Sequence, residues 1–265
     1  MNLYEKLVTI HEQIISQKPV VLNLTNYVTM DFMANTLLAL GSAPIMSEDI
    51  HEIKDLVNIA NVVNLNIGTL NQDFKERALL AAKTAQKKNK CVILDPVGAG
   101  ASKTRTELAV ILSKYSTIIR GNASEIMALG NITSNTRGVE SIYQTHDSEE
   151  IAKKIATMLN NTIVISGKTD LIITQNNKFT NNFGVELMTK VTGMGCVLTA
   201  VIGAFAAVEK DYAMSSLLAV TFYTLCAEKA YHNATAPANF KTEFIDNIYA
   251  PCWDFFQEKL SKGNN

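Results

Sequence analysis

From residue 19 to residue 174 the chain alternates short apolar runs with amphipathic stretches of helical period. This order restricts the possible folds more than any other feature. The runs PVVLNLT (19–25), VVNLNIG (62–68), CVILDPV (91–97), STIIRG (116–121) and TIVISG (162–167) read as strands, with a further short strand ending near Met46. Between them the spacing predicts helices over Asp31–Leu40, about Ile50–Ile59, Asn71–Lys88, Lys103–Lys114, from about Ala123 onward, and over Ser148–Leu159. Gly41 is placed to cap the first of these, and Asn71 is a good N-cap for the third. TIVISG and DLIIT (170–174) form a hairpin around Lys168 and Thr169. The N-terminal MNLYEKLVTIHEQ reads as an amphipathic helix, and from residue 195 the chain is almost entirely helical. Alternating strands and helices argue a mostly parallel sheet with helices on both faces. Right-handed crossovers then bring the strand C-termini, where ligands bind, to one edge.

A chain of 265 residues without linker, repeat or low-complexity segment is one domain spanning 1–265, able to bury a core without disulfides or a structural metal. Its net charge of −1 leaves no electrostatic footprint for nucleic acid. The run Lys87-Lys88-Asn89-Lys90 reads as the solvated end of a helix. Cys91, Cys196, Cys226 and Cys252 show neither a CxxC pair nor zinc spacing. No secretory signal opens the chain and no apolar stretch is long enough to span a bilayer, so a reduced, cytoplasmic setting is expected. The four histidines are dispersed, with no HExxH pair. P-loop, GxGxxG and GxSxG signatures are also absent from the sequence. Met30, Met33 and Leu37 fall at helical spacing and read as core. The polar stretch 131–147 is the best candidate for a mobile segment, although an ordinary surface loop accounts for most of it.

Chemistry concentrates at the predicted strand ends. KVTGMGC (190–196) precedes the small, apolar helix VLTAVIGAFAAV (197–208). Glycines before a helix start leave bare N–H groups that can approach an anion, and the helix dipole adds positive charge. Met194, Gly195 and Cys196 would form that anion hole, and Cys196 in the first turn is expected to have a lowered thiol pKa. Asp95 follows the strand CVIL and can hold a cation or close a turn before Pro96. Arg120 can fork onto a phosphate or make a surface ion pair. Asn122 and Glu125 fit a capping box, and Glu125 can also stand beside a magnesium ion. Ser166-Gly167 ends another strand at the same edge.

The segments LTNYVTMDFMANTLLALGSAPIMS (24–47), NIGTL (66–70), LDPVGAGAS (94–102), IRGNASE (119–125), VISGKTD (164–170) and VTGMGC (191–196), in this order, resemble the hydroxyethylthiazole kinase family of the ribokinase-like group over nearly the whole chain. The resemblance implies a ribokinase-like three-layer α/β/α fold with a mostly parallel central sheet. It implies ATP-dependent, magnesium-assisted phosphorylation of the primary alcohol of 4-methyl-5-(2-hydroxyethyl)thiazole for thiamine salvage, by a homotrimer with active sites at subunit interfaces. By matching positions, Asn26, Met46 and Gly193 are expected at the thiazole, and Arg120, Asn122 and Ser166 at the nucleotide. Asp95 and Glu125 are expected at magnesium, and Cys196 at the substrate hydroxyl as a positioning group and modest base. The wider group usually has Asp where this chain has Cys196, which narrows the resemblance to the thiazole kinases. A ribokinase-like dehydratase of hydrated nicotinamide cofactors, a related pyridoxal or hydroxymethylpyrimidine kinase, and a non-catalytic binder are the competing readings.

Overall fold

The computed structural model describes residues 1–133 and 145–262. The strands among them are β1 (Val20–Leu24), β2 (Ala43–Met46), β3 (Val62–Asn66), β4 (Cys91–Asp95), β5 (Ile118–Asn122), β6 (Thr162–Ser166), β7 (Asp170–Ile173) and β8 (Lys178–Asn181). The helices are α1 (Leu3–Gln17), α2 (Met30–Leu40), α3 (Ile53–Ile59), α4 (Gln72–Lys87), α5 (Lys103–Ser113), α6 (Ala123–Thr133), α7 (Thr145–Leu159), α8 (Met194–Val208), α9 (Tyr212–Asn233), α10 (Pro237–Tyr249) and α11 (Trp253–Lys262). A single 3-10 helix among them, Glu186–Lys190, precedes α8. The centre of the polar stretch 131–147 lies outside the described residues.

The strands pair in the order β2-β1-β3-β4-β5-β6-β7-β8. From β2 to β6 every pairing is parallel, and β7 and β8 close the sheet antiparallel. The expected parallel sheet is therefore present, with one strand more than the sequence pattern predicts. KFTN in β8 is short and mostly polar, and pairs only at an edge, so it carries no apolar alternation to read. The predicted helix at Ile50 starts three residues later, because an Asp49 side chain caps the backbone N–H of His51 in a preceding turn.

Two apolar layers cover the sheet. Val21, Val62, Ile93, Ile118 and Val164 pack with α1, α2 and α8–α11 on one face. Leu22, Val63, Leu94, Ile119 and Ile163 pack with α3–α7 on the other. α8 is the central helix of the first layer and is buried almost all round. At Gly203 a Cβ would stand 3.3 Å from Val62, so the missing side chain lets α8 lie close on the sheet. That close approach sets where the first turn of α8 meets the strand ends. No helix among the described residues is long and apolar enough to cross a membrane.

Candidate active site

The glycines before α8 shape the helix start. Gly193 has φ of +94°, and a Cβ there would stand 2.8 Å from the Thr29 methyl, so only glycine fits without strain. Met194 N–H reaches the Val191 carbonyl at 3.4 Å, and Val197 N–H closes the first turn on Gly193 at 2.8 Å. Among the described residues the Gly195 and Cys196 N–H groups have no partner. Of the three N–H groups expected to form an anion hole, those of Gly195 and Cys196 are thus free of backbone partners, while that of Met194 is partly committed. Tyr223 on α9 anchors the turn by donating its hydroxyl to the Met194 carbonyl at 2.7 Å.

A row of polar side chains runs under this helix start along the C-terminal strand edge. Asn26 Nδ2, just beyond β1, donates to Asn66 Oδ1 at 2.9 Å and lies 3.7 Å from Cys196 Sγ. Asn66 at the end of β3 donates to Asp95 Oδ2 at the end of β4 at 2.8 Å. Thr199 on α8 donates to the same oxygen at 2.8 Å. Arg120 Nη1 lies 3.8 Å from it, and Arg120 Nε donates to Ser166 Oγ at 2.9 Å. The guanidinium also lies against the backbone of α8, where a Cβ on Gly195 would meet Nη1 at 2.7 Å. The fold therefore joins Asn26, Asp95, Arg120, Ser166, Gly193, Gly195 and Cys196 into one constellation. Met46 sits on β2 opposite Asn23, one strand beyond Asn26, and packs on the α8-side core.

Asn66 and Thr199 are central here, yet motif reading misses both. Asn66 ends an apolar strand that already carries Asn64, and buried polar residues in such a run are the available signal. Thr199 lies one helical turn beyond Cys196 and shares its face.

Burial and charge set the protonation of the site. Burial raises the Asp95 carboxyl to about 6; Arg120 opposes this, Glu125 adds to it, and the bonds from Thr199 and Asn66 oppose it. Asp95 Oδ1 is buried and has no partner. The expected lowering of the Cys196 thiol is overturned. Burial first, and then the Asp95 charge, push it up to about 11, against smaller opposing effects of Asn66, Arg120 and Asn26. The thiol at this helix start therefore stays protonated at neutral pH, because burial disfavours its charged form.

Asn122 and Glu125 form the reciprocal cap of α6. Glu125 N–H donates to Asn122 Oδ1 at 3.0 Å, and Asn122 N–H to Glu125 Oε2 at 2.8 Å. Glu125 Oε1 also accepts Gly98 N–H at 2.9 Å, which ties the loop after β4 to α6. Each of these oxygens keeps a lone pair. Asp95, whose Oδ1 is orphaned, lies near enough to Glu125 for their charges to interact, and carboxylates are the donor type a hard cation could take. No group of three or more His, Cys, Asp or Glu side chains that could hold a metal exists among the described residues.

Arg105 braces the same loops. Its guanidinium donates to the carbonyls of Ile67, Gly68 and Val97 at 2.8–2.9 Å. A half-buried arginine that satisfies three loop carbonyls fixes the shape of the edge beside Asp95.

The chain matches the profile of the Hydroxyethylthiazole kinase family over residues 11–252. It is 41% identical to the hydroxyethylthiazole kinase of Chlamydia caviae across 96% of both chains. The solved hydroxyethylthiazole kinase of Pyrococcus horikoshii superposes with a TM-score of 0.88 at 30% identity, covering 96% of each chain. A ribokinase-like superfamily protein of Enterococcus faecalis shares the fold, with a TM-score of 0.63 at 18% identity over 91% of this chain and 93% of that one.

Proposed function

The chain belongs to the hydroxyethylthiazole kinase family, and from that premise we propose that it transfers the terminal phosphoryl group of ATP to the primary alcohol of 4-methyl-5-(2-hydroxyethyl)thiazole, yielding the thiazole phosphate of thiamine salvage. The observation that carries the reading is the meeting of Arg120, Asp95 and the unpartnered Gly195 and Cys196 N–H groups at one strand edge.

ATP lies along that edge with its phosphates toward residues 193–196, near Ser166 and Asn122. Arg120 and the two N–H groups stabilise charge on the transferring phosphoryl group. The thiazole packs on Met46, whose thioether suits a sulfur-containing aromatic ring, with Asn26 and Gly193 beside it. Asp95 and Glu125 would hold magnesium, which when bound neutralises phosphate charge. Cys196 acts as a neutral thiol that orients the alcohol, since its proton is held to about pH 11. A loose phosphoryl-transfer transition state needs little help from a base. Asn66 and Thr199 hold Asp95 in one orientation through its Oδ2.

We place the active form in the cytoplasm as a homotrimer with sites at subunit interfaces. The exposed Tyr27 and Val28, next to Asn26 in the chain, support a neighbouring subunit at the rim of the site. Four cysteines without disulfides suit a reducing compartment.

The test is ADP release by purified protein with ATP, magnesium and the hydroxyethylthiazole, run beside hydroxymethylpyrimidine and pyridoxal. Turnover confined to the thiazole is expected. Turnover only with another alcohol would overturn the substrate assignment. Nucleotide binding without any turnover would favour the dehydratase or binder.

A further inference from the structure

Three contacts hold Arg120: the Ser166 hydroxyl, the Asp95 carboxylate and the backbone at Gly195. Ser166 is the last residue of β6 and leads into an exposed turn, Gly167-Lys168-Thr169. An exposed turn with a glycine at its start has little of its own to fix the hydroxyl beside it. Asp170, which opens β7, is nearly fully buried and supplies what the turn lacks. Its Oδ1 accepts the Gly167 N–H at 3.1 Å. Its Oδ2 accepts Asn181 Nδ2 from β8 at 3.0 Å, and the same amide nitrogen reaches Thr224 Oγ1 on α9 at 3.3 Å. Thr169 Oγ1 pins the far side of the turn by donating to Asn182 at 2.7 Å. The antiparallel end of the sheet and α9 are thus connected to the residue following Ser166.

We propose that Asp170 is a positioning residue for the nucleotide side of the site: it anchors the β6–β7 turn through Gly167 and so holds the Ser166 hydroxyl where it orients Arg120. Asp170 does not contact the reacting atoms. A buried carboxylate accepting one backbone and one amide N–H is a stiff anchor, because such charge-assisted bonds exceed neutral ones in strength. The antiparallel strands then have a role in the chemistry beyond closing the sheet. This inference rests on the reading of Arg120 and Ser166 as nucleotide contacts.

The experiment compares Ser166→Ala, Asp170→Asn, and the two combined, measuring KM for ATP, KM for the thiazole alcohol, and kcat. Loss of one charge-assisted anchor should raise KM for ATP roughly tenfold. KM for the alcohol should stay within about twofold, since Asn26 and Met46 are untouched. In the Ser166→Ala background, Asp170→Asn should lose most of its effect, the remainder being the loss of the carboxylate's own charge near Arg120. The exchange Asp170→Asn with Asn181→Asp restores a donor–acceptor pair across β7 and β8 and keeps an acceptor for Gly167. It should recover thermal stability but little of the lost ATP affinity, because the acceptor for Gly167 remains an uncharged amide. Equal rises in both KM values, or full additivity with Ser166→Ala, would overturn the proposal. Failure of Ser166→Ala itself to raise KM for ATP would instead overturn the nucleotide assignment of Ser166.

Discussion

At the scale of single residues, the site depends on distances that allow few substitutions. Gly195 faces the Arg120 guanidinium so closely that an added methyl must push it away. Gly195→Ala should lower kcat about a hundredfold, the usual cost of one misplaced charge-stabilising group. Circular dichroism should show the fold unchanged, since Ala suits a helix start at least as well as Gly. Cys196 poses a different question. Its thiol keeps its proton at neutral pH, so a hydroxyl can replace it as a positioning group. Cys196→Ser should retain turnover within about tenfold, and its pH–rate profile should match that of the parent. A lost rise in rate at alkaline pH would instead identify an ionised thiol as base. Much of this was legible in the sequence: Asp95 and Ser166 stand at strand ends and Gly193 and Cys196 at the helix start where the pattern puts them, whereas Arg120 lies inside β5, which runs on to Asn122, rather than past its end. The thiol's protonation was not, because a helix position is visible in the chain whereas the side chains that bury it come from β1, β3 and β4.

At the scale of elements, α8 and α9 act together. Tyr223 is fully buried and its hydroxyl reaches back to the Met194 carbonyl, so α9 fixes the first turn of α8 from behind. Tyr223→Phe keeps the ring packing on Phe244 and removes this bond, at a cost of about 1 kcal/mol. Urea unfolding should show that loss, accompanied by a reduced kcat, because the turn carries the N–H groups proposed to bind the transferring phosphoryl group. An unchanged kcat at lower stability would mean that the turn is held by its own backbone. The helices and parallel strands were readable from period and caps. β8 and the 3-10 helix before α8 were not, since neither is long or apolar enough to leave a periodic trace. The polar neighbours Asn66 and Thr199 were hidden for a related reason. Their partner is Asp95, which is distant in the chain, and only the register of β3 on β4 and the seating of α8 bring them together.

At the scale of the whole molecule, acid should weaken the fold through His11. Its ring is 5% exposed and lies between Phe222 and Trp253, where α1, α9 and α11 meet. Burial lowers its pKa from 6.5 to about 4. The folded state therefore resists protonation that the unfolded chain accepts, and stability falls as pH drops from about 6.5 toward 4. The full loss is on the order of 3 kcal/mol. Urea melts of the parent and His11→Phe across that range should show the parent losing stability relative to the variant as the pH falls, with the variant showing the shallower dependence. Light scattering should report three chains per particle if the trimer reading holds. The order of elements has a further consequence during synthesis. The three strands that carry Val21, Val62 and Ile93 on one face of the sheet are all made once β4 ends at Asp95, yet their central cover, α8, ends only at Val208. At the usual pace of translation the ribosome takes on the order of ten seconds to travel that interval. Throughout it the nascent chain carries a half-naked apolar sheet and no catalytic turn, so chaperone demand should peak before residue 194 emerges and vanish soon after α8 docks.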